Sequence, residues 1–230
     1  FELWLYICNQ MLTAPNIIII LIAYIIGSIP SAVWIGKFFY GVDVREHGSG
    51  NAGATNTFRV LGKSAGLPVL LIDIFKGFFA VKLVNFVMTD SMSRGDFIEL
   101  KLVLGVAALI GHIFPVLSSF RGGKGIATLL GVTLCIHTES ALFSAGVFIL
   151  VFLITNYVSL SSILASFAFP ASMIFVFPAT ISSEILFGFF TCVIVLITHQ
   201  KNIERLIRKE EAKIKLLKKP SEEQISEQQE

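Results

Sequence analysis

Charge is scarce in this chain. Of its 230 residues only 15% are Asp, Glu, Lys or Arg, against 54% hydrophobic, and the mean hydropathy is +0.78. That balance excludes a soluble domain of this length and indicates an integral membrane protein. Cysteine is almost missing. Cys8, Cys135 and Cys192 lie in or beside apolar stretches with no paired spacing, so buried thiols are expected and a metal site is not. No Lys or Arg precedes Lys37, so the basic start of a secretory signal is lacking and the first apolar segment is expected to stay as a helix.

What the chain has instead is long apolar runs, roughly Ile17 to Phe39, Ala65 to Val87, Leu100 to Leu117, Ile126 to Ile136, Ala141 to Tyr157, Leu160 to Phe177 and Ile185 to Thr198. Only the first two reach the ~20 residues that cross ~30 Å of hydrocarbon as a straight helix. The fold expected is therefore all-α, a polytopic membrane bundle of about seven transmembrane helices, or five if the short fourth segment is re-entrant or two segments merge. Eight basic residues follow Thr198, namely Lys201, Arg205, Arg208, Lys209, Lys213, Lys215, Lys218 and Lys219, and they place that end in the cytoplasm. With seven spans the N-terminus lies outside. A transmembrane unit of residues 1–200, with cytoplasmic loops 41–64 and 118–125, is then followed by a charged cytoplasmic tail, 201–230, expected to be a solvated helix that frays.

Two polar islands interrupt the apolar runs. In the first, Gly48, Gly50 and Gly53 can take positive φ and let backbone N–H groups converge on an anion. Ser49, Asn51, Thr55 and Asn56 add neutral donors there, and Arg59 adds a fixed charge. In the second, Gly122, Gly123 and Gly125 bracket Lys124. Together they make two phosphate-sized sites, or one built from both loops. The second island is not a nucleotide P-loop: Ser118 stands where the motif needs glycine, and Gly125 where it needs Ser or Thr. GxSxG, HExxH and CxxC patterns are also lacking.

Gly27, Ser28 and Pro30 interrupt the first segment, as expected for close helix packing and a kink. Asp73 and Lys76 share a helix face inside the second. They are either an ion pair that braces the bundle or a functional pair, the default reading of ionisable groups in a membrane. His112 precedes the GGKG island, and His199 and Asn202 fall one turn apart at the end of the last segment with Arg205 on the same face. Either a ligand role or plain interfacial packing suits these residues. No carboxylate partner is evident for either histidine.

Taken in order, GSIPSAVWIGK, SGNAGATNTFR, DIFKG, GHIFPVLSSFRGGKGIAT and THQKNIERL resemble the bacterial acyl-phosphate:glycerol-3-phosphate acyltransferases over nearly the whole chain from Gly27. The His–spacer–Asp signature of the soluble-headgroup acyltransferases is missing; His199 and Glu204 are its nearest approach. The resemblance implies transfer of a fatty acyl group from acyl phosphate to the sn-1 hydroxyl of glycerol 3-phosphate, giving lysophosphatidic acid and phosphate, the first acylation of phospholipid synthesis. It implies a multi-pass protein of the inner (plasma) membrane with a cytoplasmic active site. The expected partners are glycerol 3-phosphate, long-chain acyl phosphate and membrane lipids, with no nucleic acid, no cofactor and no metal, and the chain as a monomer.

Carried over onto the matching positions, Ser49, Arg59, Lys124 and His199 are the expected catalytic residues. Gly48, Gly50, Asn51, Gly53, Thr55, Asn56, His112, Gly122, Gly123, Gly125, Thr128, Asn202 and Glu211 are the expected substrate contacts. One departure bears on the last: Lys209 stands where the family has glycine, so either the helix runs on or lysine takes a strained left-handed turn, and the position of Glu211 depends on which. The proton of the attacking hydroxyl goes to a substrate phosphate or to His112 or His199. A transporter of a phosphorylated metabolite, and an acyltransferase fed by acyl-CoA or acyl carrier protein, are the rival readings.

Overall fold

The computed structural model describes residues 13–90 and 92–214. Cys8 and residues 215–230, which include Lys215, Lys218 and Lys219 of the expected tail, lie outside them. The described residues form ten α-helices and no strand: α1 Ala14–Gly27, α2 Ser31–Tyr40, α3 Ala54–Leu61, α4 Lys63–Lys82, α5 Arg94–Ile113, α6 Ile126–Ile136, α7 Thr138–Thr155, α8 Val158–Phe175, α9 Ser182–Thr198 and α10 Gln200–Ile207.

Pro30 breaks the first apolar run, and α1 and α2 meet at 41°. The break follows from the missing N–H of proline, which cannot continue the helical ladder. A second bend, of 65°, separates α9 from α10 at His199. Three helical segments, Arg94–Ser118, Thr138–Thr155 and Val158–Phe175, are long and apolar enough to cross a membrane, or up to five if each bent pair counts as one span. This differs from the expectation that the first two runs are the plain spans. The first is a bent pair, and the strongest single spans come later. Helix α6, with 11 residues, is only ~16 Å long and cannot cross by itself.

Inside the membrane, water offers no hydrophobic drive between helices, so close backbone approach carries the packing. Helix α1 lies along α5, α4 along α6, and α7 along α8. At Gly27 a side chain would strike the Ala108 carbonyl of α5, and at Gly77 it would strike that of Thr128 on α6. Small residues therefore set how near α5 and α6 come to their neighbours, and so where His112 and Lys124 sit. Leu104, Val81, Val84, Val132 and Ala23 fill the main core. Phe38, Phe79, Leu153, Phe175 and Leu186 face outward, as expected of surface turned to lipid.

Candidate active site

A cavity of about 410 Å³ opens at the end of the bundle where the two polar islands, the turn between α7 and α8, and the end of α9 come together. Its mouth is lined by Ser49, Arg59, Lys124, His199, Asn202, Arg205 and Glu211, and its depth by Leu129, Leu130, Phe148, Ile149, Phe169 and Val195. Asn51, Gly53, Thr55, Asn56, His112 and Gly125 also line it. Five expected contacts, Gly48, Gly50, Gly122, Gly123 and Thr128, do not: the four glycines lie in the island loops, and Thr128 lies on α6 against His112.

The first island is folded on Asn56. Its buried carboxamide accepts from the Ser49 N–H at 2.8 Å and the Ser49 hydroxyl at 3.1 Å, and donates to the carbonyls of Val44 at 2.7 Å and His47 at 3.1 Å. Asn56 is thus occupied within the loop, as are the N–H groups of Ser49 and of Gly50, which donates to the His47 carbonyl. The expected anion nest does not form from this run. Gly48 and Gly50 do hold positive φ, at 61° and 70°, but Gly53 is extended and serves as the N-cap of α3. Neither α3 nor α6 has a side-chain cap on its first turn, and Gly53, Ala54, Thr55 and Gly125, Ile126, Ala127 all line the cavity. Two helix N-termini therefore present the partial positive charge at the mouth.

The islands are tied together by Arg45, which clamps Asp43 at 2.7 and 3.0 Å and donates to the Ser118 carbonyl at 2.9 Å. The Arg45 hydrogen bonds hold the Asp43 carboxyl well below the ordinary carboxylate range despite its burial. A further bond runs from the Ala52 N–H to the Gly122 carbonyl, 3.4 Å.

Lys124 donates to the Asn202 side-chain oxygen, and Asn202 in turn donates to Glu211 at 2.5 Å. Arg205 binds the other oxygen of Glu211 at 2.7 Å. Burial, with the charges of Arg205 and Arg59 nearby and against the pull of Glu211, pushes the Lys124 ammonium down to about 8. For Glu211 burial is opposed and outweighed by the hydrogen bonds from Arg205 and Asn202, which hold its carboxyl below the usual value. Three cations thus face one carboxylate, a surplus that an anion entering the mouth would neutralise.

Glu211 reaches this position because Lys209 takes the left-handed turn, φ 60°, instead of extending α10. The N–H of Lys209 bonds the Leu206 carbonyl and that of Glu210 the Arg205 carbonyl, a Schellman ending with lysine at the usual glycine position. Beyond it the irregular segment 210–214 straps across the mouth: the Ile214 N–H bonds the Asn156 carbonyl, Lys213 sits 5.1 Å over the Tyr157 ring, and Ala212 and Ile214 line the cavity.

The two histidines sit in different surroundings. His199 has Nδ1 2.8 Å from the Val195 carbonyl, so that nitrogen must carry the proton and Nε2 keeps its lone pair. His112 has a carboxylate nearby that the sequence did not place beside it: its Nδ1 lies 3.8 Å from Asp73 Oδ1, beyond hydrogen-bond reach, and 3.0 Å from the Thr128 hydroxyl, its hydrogen-bond neighbour. Asp73 itself lines the cavity. Sequence reasoning also missed Ser159, a buried cavity-lining serine beside Glu211; the serine hydroxyl helps the Arg205 and Asn202 bonds hold that carboxyl down. No local signal marks it; only the turn that brings α8 beside α10 does. No cluster of metal-ligating side chains occurs among the described residues.

A family model described as glycerol-3-phosphate acyltransferase matches residues 17–209. A glycerol-3-phosphate acyltransferase of Chlorobaculum tepidum is 42% identical over 214 residues, covering 82% of this chain and 91% of its own. One from Staphylococcus carnosus is 39% identical over 200 residues, covering 86% and 98%. The crystal structure of PlsY, an integral membrane glycerol 3-phosphate acyltransferase, in its glycerol 3-phosphate form is 34% identical and matches with a TM-score of 0.76 over 87% of this chain and 96% of that one. Its lysophosphatidic acid form matches with a TM-score of 0.73 at 33% identity.

Proposed function

The chain belongs to the glycerol-3-phosphate acyltransferase family, and from that premise we propose that it moves a fatty acyl group from acyl phosphate to the sn-1 hydroxyl of glycerol 3-phosphate, yielding lysophosphatidic acid and inorganic phosphate. The observation that carries this reading is the cavity's division: a mouth with Arg59, Lys124 and Arg205, and an apolar arm behind it. Both substrates are phosphates, and one has a long apolar tail. A related crystal structure described as a glycerol 3-phosphate form and another as a lysophosphatidic acid form support the same pair of small molecules here.

Glycerol 3-phosphate takes the mouth, its phosphate between Arg59 and Lys124 with Ser49, His199 and Asn202 around it. The acyl phosphate lays its chain along Leu129, Phe148 and Phe169, which brings its headgroup to the first turns of α3 and α6. The hydroxyl oxygen attacks the acyl carbonyl, the carbonyl–oxygen bond to phosphate breaks, and the departing phosphate takes the hydroxyl proton. An activated donor with a phosphate leaving group needs no covalent enzyme intermediate. Holding the oxygen ~3–3.5 Å from the carbonyl supplies several kcal/mol, and Lys124 with the helix N-termini stabilises charge on the carbonyl oxygen and leaving phosphate. Glu211 shapes the mouth by fixing Asn202 and Arg205. The basic residues after Thr198 support a cytoplasmic mouth, and the protein acts as a monomer in the plasma membrane.

The deciding experiment supplies the purified protein with palmitoyl phosphate, palmitoyl-CoA and palmitoyl acyl carrier protein in turn, with labelled glycerol 3-phosphate. Product is expected from the phosphate alone. Equal turnover of a thioester would replace the donor while leaving the family assignment intact.

A further inference from the structure

The mechanism leaves unused a pair of opposite charges in the bundle interior. Asp73 and Lys76 stand one turn apart on α4 with 2.8 Å between Oδ1 and Nζ, and their side chains are 1% and 4% exposed. The pair is joined on one side to the break in the first span: Ser31 Oγ donates to Asp73 Oδ1 at 2.7 Å, and Lys76 Nζ donates to the Ile29 carbonyl at 2.8 Å. On its other side lies His112, whose Nδ1 approaches the same Oδ1 to 3.8 Å and meets the Thr128 hydroxyl at 3.0 Å.

The opposite edge of the His112 ring abuts the second island. A side chain at Gly123 would collide with His112 Nε2, and the Gly123 N–H donates to the His112 carbonyl at 3.2 Å. Lys124 is the next residue. Contacts therefore run without a gap from the Pro30 break through the charge pair and the imidazole to the backbone that carries Lys124.

Stability does not explain such a pair. Withdrawing two charges from water costs free energy that their attraction often fails to recover, and neutral side chains of similar size commonly serve as well or better. A pair of this kind beside a ligand-binding loop points to an orienting task. We propose that Asp73 and Lys76 are positioning residues: they fix the His112 ring, and the ring fixes the Gly123–Lys124 backbone that receives the phosphate of glycerol 3-phosphate. This rests on the glycerol 3-phosphate binding assigned above and not on the identity of the acyl donor.

The test is calorimetric titration of the full-length protein in detergent with glycerol 3-phosphate, beside thermal unfolding. In Asp73→Asn/Lys76→Met both charges go together, so no unpaired ion is left in the interior. Affinity is expected to fall about tenfold or more with the unfolding temperature kept. Adding His112→Ala to that background should cost nothing further, because residues on one path do not add. Unchanged affinity in the double variant overturns the proposal, as does an independent, multiplying loss from His112→Ala. Should the double variant fail to fold, Thr128→Val withdraws only the hydroxyl at His112 Nδ1; a several-fold loss of affinity in a stable protein sustains the path, and wild-type affinity refutes it. A wild-type protein that binds glycerol 3-phosphate but makes no product from acyl phosphate would defeat the donor reading alone.

Discussion

The mouth and the arm of the cavity hold hydroxyl-bearing residues alike, yet they offer a ligand different things. In the arm, Ser162 bonds the Val158 carbonyl, Ser166 that of Ile163, Thr133 that of Leu129 and Thr191 that of Gly188, all within their own helices. Each of these four hydroxyls is turned back on the backbone, so these residues mostly present carbon to a ligand, with Ser144 the exception among the arm-lining hydroxyls. At the mouth the polar groups bond across elements: Lys124 to Asn202, Asn202 and Arg205 to Glu211. Composition alone would rank the two regions as similarly mixed. What decides their chemistry is the bonding capacity left after the fold has taken its share.

The largest effect should come from the mouth. Lys124→Ala and Arg59→Ala each remove one charge-assisted contact to phosphate, ~1.5–3 kcal/mol or roughly 10–150-fold in kcat/KM. Initial rates over a range of glycerol 3-phosphate, with thermal unfolding as control, measure this. Wild-type kinetics in either variant would erase the distinction between the regions.

Acidity sharpens it next. Because the Lys124 ammonium is pushed down to about 8, its charged form is favoured below that pH and is lost as pH rises through it. The free enzyme's kcat/KM for glycerol 3-phosphate should therefore fall about tenfold per unit above pH ~8. Lys124→Arg carries a charge that does not titrate in this range and should flatten that limb. If the limb persists in Lys124→Arg, another group is responsible.

The arm should answer to size instead of charge. Phe169 and Ala141 are the lining residues farthest along α8 and α7 from the Asn156 turn, and Phe169 lies ~15 Å beyond Ser159 along its helix. Phe169→Ala lengthens the arm, so the preference for long over short acyl donors should rise about tenfold, the value of roughly one methylene in an apolar pocket. Competition between donors of different length reads this out, and affinity for glycerol 3-phosphate should not move. The smallest effect is expected at Lys209→Gly, which relieves a left-handed lysine and should stabilise the protein by up to ~1 kcal/mol without changing turnover. A lowered unfolding temperature would show that the turn is not strained.

Much of the mouth was legible in the chain because its signals are local. Arg59 and Lys124 are marked by glycine and charge breaking an apolar run, and Gly27 with Pro30 marks the bend between α1 and α2. The approach of Asp73 to His112 was not legible, since it forms between α4 and α5, far apart in the chain, while Thr128, the other neighbour of the His112 ring, is brought in by the close contact of Gly77 with α6. Nor did the sequence tell that Asn56 is consumed by its own loop, because a free and a satisfied carboxamide read the same. Hydropathy found every apolar run but not how each crosses, as bends and the short α6 are settled by packing.

The strap at 210–214 has a consequence for biogenesis. A ribosome delivers Ser49 and Arg59 early, Lys124 midway, and Asn202, Arg205 and Glu211 only after all the long helices have been made. Until that last stretch emerges and docks on Asn156, the mouth lacks the groups that orient Lys124. Chains stopped before Asn202 are therefore expected to be inert toward substrate, with acylating activity appearing only once that last stretch is in place.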